Sequence, residues 1–91
     1  MRVRTAIEAK LVEAFAPVRL TVADESGRHA GHAGARPEGE THFRVELVST
    51  AFTGRPRAER QRMVHRVLAA ELAGGVHALE LRLLAPDEAA G

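Results

Sequence analysis

The chain has 91 residues, 45% of them hydrophobic and 27% charged, with a formal net charge of +1 and no cysteine. A chain of this size and composition supports one globular domain with one core, here aliphatic, since it holds three phenylalanines and neither tryptophan nor tyrosine. Without cysteine there is no disulfide, no thiolate zinc site, no thiol chemistry and no iron–sulfur cluster held by this chain alone.

The N-terminal stretch from Met1 to Glu8 mixes charges throughout, and no apolar run approaches the ~20 residues a membrane span needs. The expectation is a cytoplasmic protein, one domain over 1–91, with no membrane partner. Val3, Ile7 and Leu11, with Ala6, Ala14 and Phe15, repeat every three or four residues and predict a helix over 2–15, ended by Pro17. Val18, Leu20 and Val22 then alternate with Arg19, Thr21 and Ala23, the period-two pattern of a half-buried strand. From Asp24 to Glu40 the chain carries Gly27, Gly31, Gly34, Gly39 and Pro37 together with His29 and His32. That is longer than a hairpin turn requires, and connections of such length tend to be functional or disordered.

Phe43, Val45 and Leu47 alternate with His42, Arg44 and Glu46 and predict a second strand. Ser49, Thr50, Gly54 and Pro56 mark a turn, with one short helical turn at Ala51 and Phe52. Met63, Val64, Val67, Leu68 and Leu72 form one helical stripe between Arg57 and Ala73, closed by Gly74 and Gly75. Leu79, Leu81 and Leu83 alternate with Glu80 and Arg82, a third strand, and residues 86–91 read as a frayed tail. The order αββαβ makes an α+β domain: a three-stranded mixed sheet, covered on one face by helices, with the crossover-linked second and third strands parallel and the first two antiparallel. The other face, with Arg19, Thr21, Arg44, Glu46, Glu80 and Arg82, is wet.

Imidazole is the chemistry this sequence concentrates. Three of the five histidines, His29, His32 and His42, fall within fourteen residues, and imidazole binds metals without bringing a charge of its own. The pair His29 and His32 has metal-ligand spacing, but a closed zinc site would need a third or fourth ligand. His77 shares strand parity with Leu79, Leu81 and Leu83, so it is expected to point toward the helix-covered face at the strand's open end. There it reads either as a half-buried histidine bonded to backbone or as a ligand on a rigid support. His42 has the opposite parity to Phe43 and faces the wet side or its rim, while His65 lies off the apolar stripe.

Arg55, Arg57, Arg60, Arg62 and Arg66 cluster within twelve residues, opposed only by Glu59. This is a solvated helix face or a phosphate footprint. Gly31-His32-Ala33-Gly34 matches a nucleotide-clamping glycine pattern, but it sits between strands rather than between helices and is set aside. No nucleophile motif surrounds Ser26 or Ser49, and Glu40 beside His42 is no distinctive acid–base pair, so neither enzyme activity nor a small-molecule substrate is expected.

Several stretches in order carry a resemblance: Leu20 to Ser26 followed by His29, then Gly39 to Val45, Val48-Ser49 with Phe52 and Gly54, Arg60 and Arg62, Glu71-Leu72, and Val76 to Leu79. Over nearly the whole chain they resemble the BolA family, whose fold is likened to the class II KH fold. The resemblance implies a partner of a monothiol glutaredoxin, sharing a bridging [2Fe-2S] cluster with that protein's cysteine and a bound glutathione thiol. It carries the family's histidine near the last strand onto His77 and the loop ligand onto His29. His32, three residues on, is an equal candidate. Gln61 stands where relatives usually have histidine, which does not touch the cluster assignment. No cofactor is expected on the isolated chain. Imidazole ligands raise a cluster's potential relative to thiolates, and ligation requires their deprotonated form, so the complex is expected to weaken as pH falls through about 6.

The family is also described as stress-induced morphogens and transcriptional regulators, which implies a competing role in DNA binding. The segment 52–73 looks like a helix-turn-helix presenting Arg57, Arg60 or Arg62 to phosphates or bases. With a charge of +1 such binding would be salt-sensitive. The roles are compatible, and cluster occupancy could cover or expose the basic helix. A third reading is a metal-free binding module for the glutaredoxin, in which alanine at 29 and 77 would leave the complex intact.

Overall fold

A computed structural model describes residues 2–25 and 41–89. Its elements run α1 (Val3–Phe15), β1 (Arg19–Asp24), β2 (His42–Val48), a 3-10 turn (Thr50–Phe52), α2 (Arg57–Val67), α3 (Ala69–Ala73), β3 (Ala78–Leu84) and α4 (Pro86–Ala89). The sheet has the order β1-β2-β3, with β2 antiparallel to β1 and parallel to β3. The expected α+β architecture is therefore present. Most of the segment from Asp24 to Glu40, including His29 and His32, lies outside the described residues.

Ile7, Leu11 and Phe15, four residues apart, place one buried stripe of α1 on the sheet. They meet Val22 from β1 and Phe43, Val45 and Leu47 from β2, all buried. Val64 and Leu68 close the core from above, and Phe52 in the 3-10 turn stacks at 5.2 Å on Phe15. The central strand β2 is buried at Phe43, Val45, Leu47 and Val48, as its position between two neighbours requires. The outer face carries the expected polar set, cross-linked by Arg19–Glu46 (3.5 Å), Arg82–Glu46 (3.4 Å) and Arg44–Glu80 (2.9 Å).

Four details depart from the sequence pattern. Val18 is 69% exposed and precedes the strand: its N–H donates to Val48 O at 2.8 Å, but its side chain is outside the core. The helix over 57–73 is divided at Leu68, whose φ of −100° and ψ of 19° leave helical values while its side chain stays buried. At the end of α3 the left-handed residue is Gly75, φ 126°, and not Gly74, φ −93°. The tail expected to fray instead begins with α4. Its Glu88 side chain accepts a hydrogen bond from Ala85 N (2.7 Å) and two from Arg60 (2.7 and 3.4 Å). The sequence pattern missed this because α4 is held by polar contacts and by no apolar stripe. No helix among the described residues is long and apolar enough to cross a membrane.

Candidate metal centre

Parallel pairing puts the starts of β2 and β3 side by side, His42 opposite Ala78. Thr41, the residue before β2, is fully buried. Its carbonyl accepts from two consecutive backbone N–H groups, those of His77 (2.7 Å) and Ala78 (3.2 Å). Its hydroxyl lies 2.8 Å from His42 Nδ1. One buried threonine therefore fixes the backbone under His77 and the ring of His42. The two imidazoles stand with centroids 6.1 Å apart and planes inclined by 53°.

His77 is exposed, whereas parity within β3 had aimed it at the helix-covered face. The physical reason is at Thr41. In a regular strand successive N–H groups point to opposite sides, but His77 and Ala78 both donate to the same oxygen. Alternation thus begins only at Ala78, and His77 lies outside the parity of the strand. Val76 is the buried residue there, 7% exposed. His42 is half-buried, at the rim as expected, but its nearness to His77 was not visible in sequence. The burial of Thr41 was legible, since it shares parity with Phe43, Val45 and Leu47.

Both ends of the segment that carries His29 and His32 are anchored at this end of the sheet. Glu25 N donates to His42 O at 2.7 Å, and Thr41 leads directly into β2. The two loop histidines themselves lie outside the described residues. Among the described residues no group of three or more histidines, cysteines or carboxylates converges on one point. The chemistry of the described donors is that of neutral nitrogen ligands on a stiff support, with any thiolates to come from elsewhere. Such a donor set fits a cluster that is shared between chains.

A second feature lies along the outer edge of β3. A cleft of about 720 Å³ is lined by Arg44, Arg55, Arg57, Arg60 and Arg82, with Glu80 and Glu88 opposing them. The arginines singled out in the sequence do different things here. Arg60 is a structural residue with a side chain only 11% exposed. It donates to Arg55 O (2.8 Å), Leu83 O (3.0 Å) and Glu88, and its guanidinium lies 5.9 Å from the Phe52 ring centroid. Arg55 donates to Ala51 O and pairs with Glu59 at 2.9 Å. Arg57, Arg62 and Arg66 are exposed along α2, and of these only Arg57 lines the cleft. His65 is exposed.

Comparison with known proteins gives one answer. The family model described as "BolA-like protein" matches residues 11–88. The chain is 51% identical to the DNA-binding transcriptional regulator BolA of Escherichia coli, over 89% of this chain and 73% of that one. It is 48% identical to BolA-like protein 1 of Mus musculus over 94% of its own length, and spans 60% of that relative. Among solved structures, BolA1 from Arabidopsis thaliana superposes with a TM-score of 0.87 at 38% identity, covering 97% of this chain and 96% of that one. Of these relatives, the Escherichia coli protein is named for a regulatory role.

Proposed function

The chain belongs to the BolA-like protein family, and from that premise we propose that it is a non-enzymatic partner of a monothiol glutaredoxin. The two chains would share a bridging [2Fe-2S] cluster for iron–sulfur trafficking or for iron and redox sensing. This chain supplies imidazole nitrogen, from His77 and from His29 or His32, and the glutaredoxin and glutathione supply the thiols. The observation that carries the reading is His77 itself. Its imidazole is exposed, and the backbone beneath it is held by the carbonyl of a fully buried threonine. A ligand placed this way keeps its position while meeting a partner. The cluster, when bound, would supply one-electron redox chemistry, and His77 would hold and orient it.

The test is anaerobic reconstitution with a monothiol glutaredoxin, glutathione, iron and sulfide, followed by visible absorption and circular dichroism. Wild type is run beside His77→Ala, His29→Ala and His32→Ala. The expected result is a heterodimer spectrum distinct from that of the glutaredoxin homodimer and lost in His77→Ala. An unchanged homodimer spectrum throughout would sink the proposal.

The arginine-lined cleft and the name of the Escherichia coli relative favour a second reading, DNA binding. In it Arg55, Arg57 and Arg82 would meet phosphates at the β3 edge, and Arg62 and Arg66 would extend the footprint along α2. Affinity would be modest and fall steeply with salt, because the chain as a whole carries only +1. Arg57→Ala is expected to weaken duplex binding and flatten its salt slope by about one contact, measured by fluorescence anisotropy. An unchanged slope would remove Arg57 from the interface.

A further inference from the structure

We propose that the chain pairs with a second copy of itself through the outer edge of β3, antiparallel and centred on Leu81. Two three-stranded sheets then join into one continuous sheet. The inference goes beyond the shared-cluster reading and does not rest on it.

The backbone comes first. In the ladder between β2 and β3, Ala78 N donates to Thr41 O and Ser49 N donates to Leu84 O. Successive residues of a strand turn their N–H and C=O groups to opposite sides, so these two bonds fix the phase. Ala78, Glu80, Arg82 and Leu84 face β2, while Leu79, Leu81 and Leu83 present their N–H and C=O groups at the outer edge. Among the described residues, the side chain that bonds to that edge is Arg60, which donates to Leu83 O at 3.0 Å. The groups of Leu79 and Leu81 are left as a template for another strand. Space is available there, since the cleft of about 720 Å³ has Leu81 and Leu83 in its wall.

Side chains select the occupant. Antiparallel pairing sets an outward-facing residue opposite another, which allows three registers around the middle of β3. Centred on Glu80, the pairing puts that carboxylate against its own copy. Centred on Arg82, it puts guanidinium against guanidinium. Like charges directly opposite one another destabilise a sheet. Centred on Leu81, the pairing sets Glu80 opposite Arg82 at two places, with Leu79 opposite Leu83 and Leu81 opposite itself. The strand is complementary to itself in that register. Both charged side chains have room for a further partner, Glu80 being 71% and Arg82 70% exposed.

The ion pairs within the chain extend the pattern. Arg82 meets Glu46 at 3.4 Å, and Glu80 meets Arg44 at 2.9 Å. Across the joined sheets the row would read Glu46, Arg82, then Glu80 and Arg44 of the second copy, alternating in sign at every step. Exposed ion pairs add little affinity, so this row chooses the register. Leu79 and Leu81 supply the apolar contact. Their parity aims them at the helix-covered face, yet both are only half-buried because β3 is the last strand of the sheet. One strand from each copy is a small interface, so the association is weak and reversible. Eight residues of strand at ~3.3 Å each would set the two His77 residues roughly 26 Å apart, at opposite ends of the shared edge. Both stay open, and either proposal can fail without the other.

The test is sedimentation velocity on the whole chain over a hundredfold range of concentration. Wild type is run beside Glu80→Arg, Arg82→Glu and an equimolar mixture of the two variants. Wild type is expected to shift from monomer to dimer as concentration rises. Each variant alone sets like charges opposite one another and is expected to stay monomeric. The mixture restores opposite charges at both places and is expected to regain the dimer, which a variant that fails to fold could not do. Amide hydrogen exchange of wild type reads the register without any substitution. Leu79 and Leu81 should exchange more slowly as the dimer forms, while Glu80 and Arg82, bonded to β2 already, should not change. A wild type that stays monomeric throughout overturns the proposal and leaves this edge to a strand from another protein. Dimerisation without slowing at Leu79 and Leu81 places the contact elsewhere and overturns it too. A mixture no more associated than its folded parts overturns the register.

Discussion

Thr41 shows how much one side chain decides. It is buried, polar and placed immediately before the central strand, where a valine would satisfy the core equally well. What valine could not do is engage the ring of His42. Thr41→Val should keep the fold, since the carbonyl that holds His77 and Ala78 is unchanged. The lost hydroxyl contact costs about 1 kcal/mol, visible as a small fall in the urea midpoint. The informative change is at His42, whose ring resonances should broaden or shift while those of His65 stay put. Unmoved His42 resonances would mean that Thr41 does not orient the ring. Ala16 is strained for a local purpose. It caps α1 in the left-handed region at φ 43°, its N–H donating to Val12 O at 3.0 Å, and Pro17 follows, so the helix cannot continue. The strain is roughly 1–2 kcal/mol for a residue with a Cβ. Ala16→Gly should therefore raise stability by about 0.5 kcal/mol after the entropy of glycine in the unfolded chain is subtracted. A fall in the denaturation midpoint would contradict that account.

Among the elements, α4 is the one whose existence depends on charge. Its four residues bury none of their side chains, and Glu88 ties them to Arg60 and to Ala85 N. The hydrogen bond from Arg60 and then that from the Ala85 backbone hold the Glu88 carboxyl below its ordinary pKa. For a carboxylate with a lowered folded pKa, the contribution is complete above the unfolded value and lost as pH falls through the folded one. Docking of α4 should thus persist through neutral pH and weaken only in the acid range, below ordinary carboxylate titration. An NMR titration of the Ala85 amide reads it, and Glu88→Gln should abolish the acid transition. A transition near pH 6 would point to a histidine instead. The same clasp occupies Leu83 O through Arg60, which covers part of the otherwise open edge of β3. Between α1 and α3 a second tie of the same length, Lys10 to Glu71 at 2.7 Å, performs a similar holding role near the surface.

At the scale of the whole molecule, Phe52 is where the parts meet. Fully buried in the 3-10 turn, it stacks on Phe15 of α1 and lies beneath Arg60 of α2. Phe52→Ala should cost about 3–5 kcal/mol, a large share of the stability of a small domain. Urea unfolding measures it, and a loss under 1 kcal/mol would show that the three elements hold together without this ring. The alternation of Phe43, Val45 and Leu47 and the four-residue spacing of Ile7, Leu11 and Phe15 determined strands, helix and core in advance, because local periodicity decides which face of an element is apolar. The wet face and the αββαβ order followed for the same reason, whereas the candidacy of His77 came from the family resemblance and its parity misplaced it. Period and parity are properties of a single element, however, and the placing of His42 beside His77 is a relation between two. That His42 stands beside His77, that one threonine holds both, and that Arg60 is withdrawn from the basic surface to clasp α4 were decided by the β2–β3 register and by contacts between residues far apart in the chain. No local pattern encodes such distances. They arise only when hydrophobic burial brings the strand ends together and the polar groups left there find one another.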